Sequence, residues 1–233
     1  MPEPALQAVK AVLLDVDGTL YRPGPLRIHM ALTLISRHLG NPRQLWPTVQ
    51  IIRAFRKAQE ELRIDNAGHG QPLDRQYRLA AQATRRPLSH VRRVVDYWMF
   101  RQPLPHLARY GRDGLLSFLE TCRQRRLKVG ALSDYPPQDK LAAMEIAPLF
   151  QMLLCSAGPE IGAFKPAPDG ILLACAQWAI RPAACLYIGD RPDVDGLAAQ
   201  RAGAKFILMG RPAGNLRFPA AKDFNELAAL MGF

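Results

Sequence analysis

Residues 114–126, GLLSFLETCRQRR, read as a helix, and residues 127–133, LKVGALS, follow at once as a short apolar run of buried-strand length. The pair recurs three times downstream: PPQDKLAAME (136–145) before QMLLCS (151–156), PDGILLACAQWAI (168–180) before CLYIGD (185–190), and VDGLAAQRAG (194–203) before KFILMG (205–210). Strands that alternate with helices of crossover length predict an α/β chain built on a Rossmann-like, doubly wound parallel sheet. Ligands of such sheets bind outside the carboxyl ends of the strands. Those ends are Ser133-Asp134, Cys155-Ser156 and Gly189-Asp190.

On the N-terminal side, AVLLDV (11–16) is rich enough in branched residues for one more buried strand, and the turn pair Asp17-Gly18 ends it. Between this strand and the alternating region no strand is evident. IHMALTLISRHLG closes on Gly40, and VQIIRAFRKAQEEL, LDRQYRLAAQAT and HVRRVVDYWMF follow, all with helical periodicity. The expected organisation is an α/β core of residues 1–20 and 111–233, interrupted by an all-helical domain of residues 21–110. Arg22 to Pro25 reads as the entry linker.

The formal net charge is +11, and it resides in the insert: residues 21–110 hold 16 Lys and Arg against 5 Asp and Glu, while the remainder balances. Partners suited to that excess are phosphorylated metabolites, nucleic acid or an anionic surface, and a merely solvated basic face is the plain alternative. No apolar run approaches the ~18 residues of a membrane span, and the first residues lack the pattern of a secretory signal, so a cytoplasmic protein without membrane partners is expected. Cys122, Cys155, Cys175 and Cys185 sit in apolar segments without C-x-x-C spacing, which suits reduced, buried thiols.

Asp15 and Asp17 end the first strand, followed by Gly18 and Thr19. Two acids in a turn are weak evidence alone. Ser133 at the second strand end, Lys165 in Phe164-Lys165-Pro166 after the third, and Gly189-Asp190-Arg191-Pro192-Asp193-Val194-Asp195 after the fourth make an ordered set. It contains what phosphoryl transfer through a covalent intermediate requires. A carboxylate attacking phosphorus is repelled by the phosphoryl oxygens unless cations neutralise them. Asp15 and Asp190 offer hard oxygen ligands for Mg²⁺, Lys165 a fixed positive charge, and Ser133 a hydroxyl donor. Asp17 can protonate the leaving group and later deprotonate water, provided that its pKa lies above that of an ordinary Asp.

The stretches D-V-D-G-T-L, L-S, F-K-P and G-D-R-P-D-V-D resemble the four motifs of haloacid dehalogenase superfamily phosphatases, and the helical insert resembles the C1 cap that one subclass carries between motifs one and two. The resemblance implies Asp15 as the phosphorylated nucleophile and Asp17 as general acid and base. It implies phosphate binding by Ser133, Lys165 and Thr19. Mg²⁺ would be held by Asp15, the Asp17 main-chain carbonyl and Asp190, with Asp195 behind them and Asp193 a weaker substitute for Asp195. Two departures bear on the reaction. Asp134 follows Ser133 where many relatives have Asn, which adds a negative charge near a phosphate site. Dehalogenating members generally lack an acid at the position of Asp17, so its presence favours phosphate esters.

The resemblance implies that the cap selects the leaving group. The break at residues 65–71, with His69, reads as a specificity loop or a plain connector. Arg22 reads as a substrate contact or a surface cation, and Tyr97, Trp98 and Phe100 as helix packing or a stacking platform. The expected function is Mg²⁺-dependent hydrolysis of a small phosphorylated metabolite. A phosphomutase, or a protein binding nucleic acid or another anionic partner through the Arg-rich insert, are the alternatives.

Overall fold

The five predicted strands form one parallel sheet. A computed structural model describes residues 8–65, 70–210 and 218–233. In it β1 (Ala11–Leu14), β2 (Lys128–Ser133), β3 (Met152–Cys155), β4 (Cys185–Gly189) and β5 (Lys205–Met209) lie in the order β3-β2-β1-β4-β5, and a two-residue β6 (Ala220–Ala221) extends the β5 edge. The chain leaves β1 in one direction through β2 and β3, then returns to its other side with β4. Leu14 is therefore level with Ala131 on one flank and Ile188 on the other. The carboxyl ends of β2, β1 and β4 meet at this switch point, where an open α/β sheet binds its ligand.

The insert is helical. α1 (Pro23–Arg37), α2 (Leu45–Asp65), α3 (Pro72–Thr84) and α4 (Leu88–Val95) follow in turn, and α4 runs on into a wide turn, Asp96–Arg101, closed by the Gln102 N–H donating to the Tyr97 carbonyl at 2.8 Å. The expected linker at Arg22 to Pro25 is corrected: only Arg22 is extended, and Pro23 already opens α1. Proline lacks just the N–H that a first helical turn leaves without a partner, and its fixed φ suits that position. Residues 66–69, with His69, lie outside the described residues. The insert packs around Ile51, Phe55, Tyr77, Val91 and Val95, joined by Tyr135 and Phe164 from loops at the sheet edge. Phe100 packs on Phe55 and Tyr135, as helix packing predicts, whereas Tyr97 is partly exposed.

Alternation along the strands divides the rest into two cores. Val12, Leu14, Val129, Leu186 and Ile188 face α5 (Leu115–Gln124), α6 (Gln138–Ala143) and the C-terminal side of the chain. Leu13, Leu132, Leu154, Tyr187 and Leu208 face α7 (Asp169–Gln177) and α8 (Leu197–Ala202). α9 (Phe224–Met231) supplies Phe224 and Leu227 to the first core. Where insert and core join, two strands of chain run antiparallel. Arg22 N–H donates to the Tyr110 carbonyl at 2.8 Å, Arg112 N–H donates to the Leu20 carbonyl at 2.9 Å, and the Arg22 and Asp113 side chains pair at 2.6 Å.

All four cysteines are free thiols, three buried and Cys155 partly so. No described helix is long and apolar enough to cross a membrane.

Candidate active site

Asp15, Asp190 and Asp195 converge from the ends of β1 and β4, with ligand oxygens all within 4.8 Å of one another. Three buried or half-buried carboxylates this close repel unless cations intervene, and Lys165 is hydrogen-bonded among them. Its Nζ donates to Asp15 Oδ1 at 2.6 Å, to Asp195 Oδ1 at 2.7 Å and to the Tyr187 hydroxyl at 3.1 Å. Burial alone would strip the proton from Lys165, but Asp15 and Asp195 outweigh it and hold the ammonium charged. The same burial drives the Asp15 carboxyl well above the usual range against the pull of Lys165, with Asp195 and Asp190 adding to the rise. Asp190 is pushed up to about 6, first by burial and then by Asp195. One ammonium among three carboxylates leaves a negative surplus, and the raised Asp15 and Asp190 express it. This is the donor set, hard and oxygen-only, that a divalent cation of the Mg²⁺ type fits.

The loop geometry brings these groups close. Gly18 has φ +99°, and a Cβ on it would lie 2.0 Å from Asp190 Oδ2, so only glycine lets the β4 loop reach the turn after β1. Arg112 Nη2 donates to the Gly18 carbonyl at 2.7 Å and clamps that turn from the second crossing of the chain. Asp195 is fixed from both sides: beside Lys165, it accepts the Tyr187 hydroxyl at 3.1 Å and the Arg191 N–H at 3.0 Å. Asp193 pairs instead with Arg191 at the surface, outside the carboxylate cluster.

Thr19 and Ser133 are fully buried. The Thr19 hydroxyl donates to Asp15 Oδ2 at 2.9 Å, which places it against the nucleophile candidate with its one proton already committed. Ser133 ends β2 two positions beyond Ala131, which is level with Leu14, and its hydroxyl accepts the Tyr135 N–H at 3.4 Å. That contact leaves the hydroxyl proton free to donate.

Asp17 departs from expectation. Lys140 of α6 places its Nζ 2.6 Å from Asp17 Oδ1 and 2.5 Å from Oδ2, and the Tyr21 hydroxyl also donates to Oδ1. Burial would raise the Asp17 pKa, but the charge and hydrogen bonds of Lys140, with the Tyr21 hydroxyl, overcome it and hold the carboxyl below the usual range. The elevated pKa assumed from sequence is thus corrected: in this state Asp17 is a carboxylate. Neither Lys140 nor Tyr21 stood out in sequence, because a lysine in a short polar helix and a tyrosine after the first motif read as ordinary surface and packing residues.

Asp134 is also not the free charge that its position after Ser133 suggested. Its carboxylate is buried, accepts Gln59 Nε2 at 3.1 Å and the Lys165 N–H at 3.3 Å, and pairs with the Arg63 guanidinium of α2. Alongside, Arg191 after β4 pairs with Glu60 of α2 at 2.8 Å. Two ion pairs therefore join the helical insert to the loops that carry the candidate site. Arg22, which pairs with Asp113, is accounted for at the chain crossing.

A family model described as haloacid dehalogenase-like hydrolase matches residues 9–203. A phosphoglycolate phosphatase of Thiobacillus denitrificans is 26% identical over 232 residues, covering 96% of this chain and 95% of that protein. A glyceraldehyde 3-phosphate phosphatase of Methanopyrus kandleri is 27% identical, covering 87% and 84%. Among solved structures, a HAD phosphatase from Thermococcus onnurineus superposes with a TM-score of 0.64 at 20% identity, covering 96% of this chain and 98% of that one. A 2-haloacid dehalogenase from Pseudomonas syringae gives 0.64 at 18%, covering 96% and 98%. A fold shared equally by a phosphatase and a dehalogenase does not choose between their reactions; the site residues must.

Proposed function

The chain belongs to the haloacid dehalogenase-like hydrolases, and from that premise we propose that it is a Mg²⁺-dependent phosphomonoesterase acting on a small phosphorylated metabolite through an aspartyl phosphate on Asp15. The observation that carries this reading is a second carboxylate, Asp17, two residues after Asp15 and 39% exposed at its side chain, held by its own lysine. Displacing halide needs no proton donor; expelling an alkoxide does. The two relatives whose names are phosphatases agree with this choice.

In the proposed reaction Asp15 attacks phosphorus, the bond to the ester oxygen breaks, and a proton from Asp17 passes to that oxygen. Water then attacks the aspartyl phosphate, Asp17 takes its proton, and inorganic phosphate leaves. Lys165 and Ser133 neutralise and hydrogen-bond the phosphoryl oxygens, and the Thr19 hydroxyl orients Asp15. Bound at Asp15, Asp190 and the Asp17 carbonyl, Mg²⁺ would supply charge neutralisation at phosphorus, with Asp195 anchoring Lys165. The resting Asp17 carboxylate is ready for the second half-reaction. For the first it must gain a proton, and the phosphoryl charge arriving beside Lys140 opposes the field that keeps it ionised.

The division into an α/β core of residues 1–20 and 111–233 and a helical cap of residues 21–110 belongs to this proposal. It is supported by the antiparallel chain crossing at residues 20–22 and 110–113. A closed cap would exclude water and read the leaving group.

The test is phosphate release from a panel of phosphorylated metabolites with Mg²⁺ or EDTA, beside Asp15→Asn. Metal-dependent turnover lost in the variant is the expected result. Turnover that survives either EDTA or Asp15→Asn would sink the mechanism, and isomerised ester without free phosphate would make the protein a mutase.

A further inference from the structure

Lys140 lies outside all four motifs, yet it contacts the acid–base candidate more closely than any motif residue does. It sits in α6, seven residues beyond Ser133, with a side chain only 10% exposed. A lysine that long can normally turn its ammonium into water. Here the ammonium instead caps both oxygens of Asp17, at 2.6 and 2.5 Å, and among the described residues it has no other hydrogen-bond partner. Burying a cation for a single partner is costly, and only a close, well-aligned pair offsets that cost.

The geometry explains the use. Asp17 follows the strand end, on a turn whose next residue is Gly18 with φ +99°. A carboxylate there has two free side-chain torsions. Chelation of both oxygens by one ammonium, with the Tyr21 hydroxyl on Oδ1, restrains both of those torsions. The two lysines thus divide the two acids: Lys165 holds the nucleophile, Lys140 the proton carrier. Displacement of a reacting group by about 1 Å can cost ~10²-fold in rate, so such a clamp has kinetic consequences.

We propose that Lys140 is the positioning residue of Asp17, holding its carboxylate in line with the oxygen of the leaving group. The proposal rests on the reading of Asp17 as general acid and base, and the experiment separates the two. Phenyl phosphate and 4-nitrophenyl phosphate have nearly the same shape, but the nitrophenolate departs with little need of a proton. kcat/KM, which reports steps up to formation of the aspartyl phosphate, is measured for both with wild type, Asp17→Asn, Lys140→Met, Lys140→Gln and the Asp17→Asn/Lys140→Met double variant. Lys140→Met should lower kcat/KM for phenyl phosphate by about 10²-fold and for 4-nitrophenyl phosphate by about tenfold or less, within the range that general acid catalysis supplies. Asp17→Asn should show the same bias, and adding Lys140→Met to it should cost little more, since both changes remove one function.

Thermal melting of each variant identifies any that do not fold, and Lys140→Gln, which keeps a donor and the side-chain bulk, carries the test if Lys140→Met fails. Equal losses on both substrates, or full additivity in the double variant, would make Lys140 a structural ion pair and overturn the proposal. Absence of the leaving-group bias in Asp17→Asn itself would instead overturn the reading of Asp17, and the role of Lys140 with it.

Discussion

At the residue scale, Gly18 shows how closely the site is built. Its missing Cβ leaves the space that Asp190 Oδ2 occupies, and its φ of +99° is one that side-chain-bearing residues rarely adopt. Gly18→Ala should therefore move either the turn or Asp190, lowering kcat/KM by ~10²-fold or more and weakening Mg²⁺ binding in a calorimetric titration; normal metal affinity would mean that Asp190 does not depend on this turn. Asp17→Asn has a second consequence besides its kinetics. It leaves the buried Lys140 ammonium facing a neutral amide, a loss of about 1–3 kcal/mol once the partial exposure of Asp17 is allowed for. Urea denaturation of the metal-free protein would measure it, and an unchanged midpoint would show the pair to be inert. Asp15, Lys165, Asp190 and Asp195, which the structure brings together, all stand in recognisable strings of the sequence, Asp15 and Asp190 directly after strands and Lys165 and Asp195 further along the loops. Lys140 was not, since its value comes from burial against a turn 123 positions away, and no local pattern encodes that.

At the element scale, legibility follows the strength of periodicity. The five longer strands and the four helices of the insert all carry it. β6 has two alanines and no pattern at all. α9 did carry a signal: Asp223 accepts the Glu226 N–H at 3.0 Å, and Glu226 Oε2 accepts the Lys222 N–H at 2.8 Å, which is close to the reciprocal capping pattern that D-x-x-E announces. The coupling of α2 to the sheet was beyond sequence, because it joins residues of the insert to strand-end loops. Arg63 and Asp134 are both more than nine-tenths buried at their side chains. Removing one partner strands the other charge, so Arg63→Met and Asp134→Asn should each cost about 2–4 kcal/mol. The double variant should recover much of that, leaving a coupling energy of 1 kcal/mol or more in a double-mutant cycle by chemical denaturation. Simple additivity would mean that this pair does not help to hold α2 against the sheet.

Across the whole molecule, some of the insert's cations are paired, Arg63 with Asp134 after β2 and Arg78 and Arg92 with Asp74 of the insert itself, but Arg191 after β4 takes up Glu60 in return, so the insert keeps its basic excess. The opposite imbalance, a surplus of carboxylates at the switch point, governs how stability responds to pH and metal. Asp190 is raised from 3.8 to about 6, so the folded metal-free chain holds its proton more tightly than the unfolded chain does. Stability contributed by that proton is present below about pH 4 and is lost as pH rises to about 6, to the extent of 1–3 kcal/mol. Asp15 is raised as well and adds in the same sense. Asp17 is lowered and acts oppositely, its contribution being lost only on acidification below the ordinary carboxylate range. A divalent cation competes with the protons on Asp190 and Asp15, so binding releases them and strengthens as pH rises. Calorimetric melts in Mg²⁺ and in EDTA should therefore differ little near pH 4 and diverge between about pH 4 and 6, with the EDTA curve falling and the Mg²⁺ curve holding. Melts that stay superimposed across this interval would mean that the carboxylate cluster is neutralised by Lys165 alone, and the metal-dependent reading of the site would fail with them.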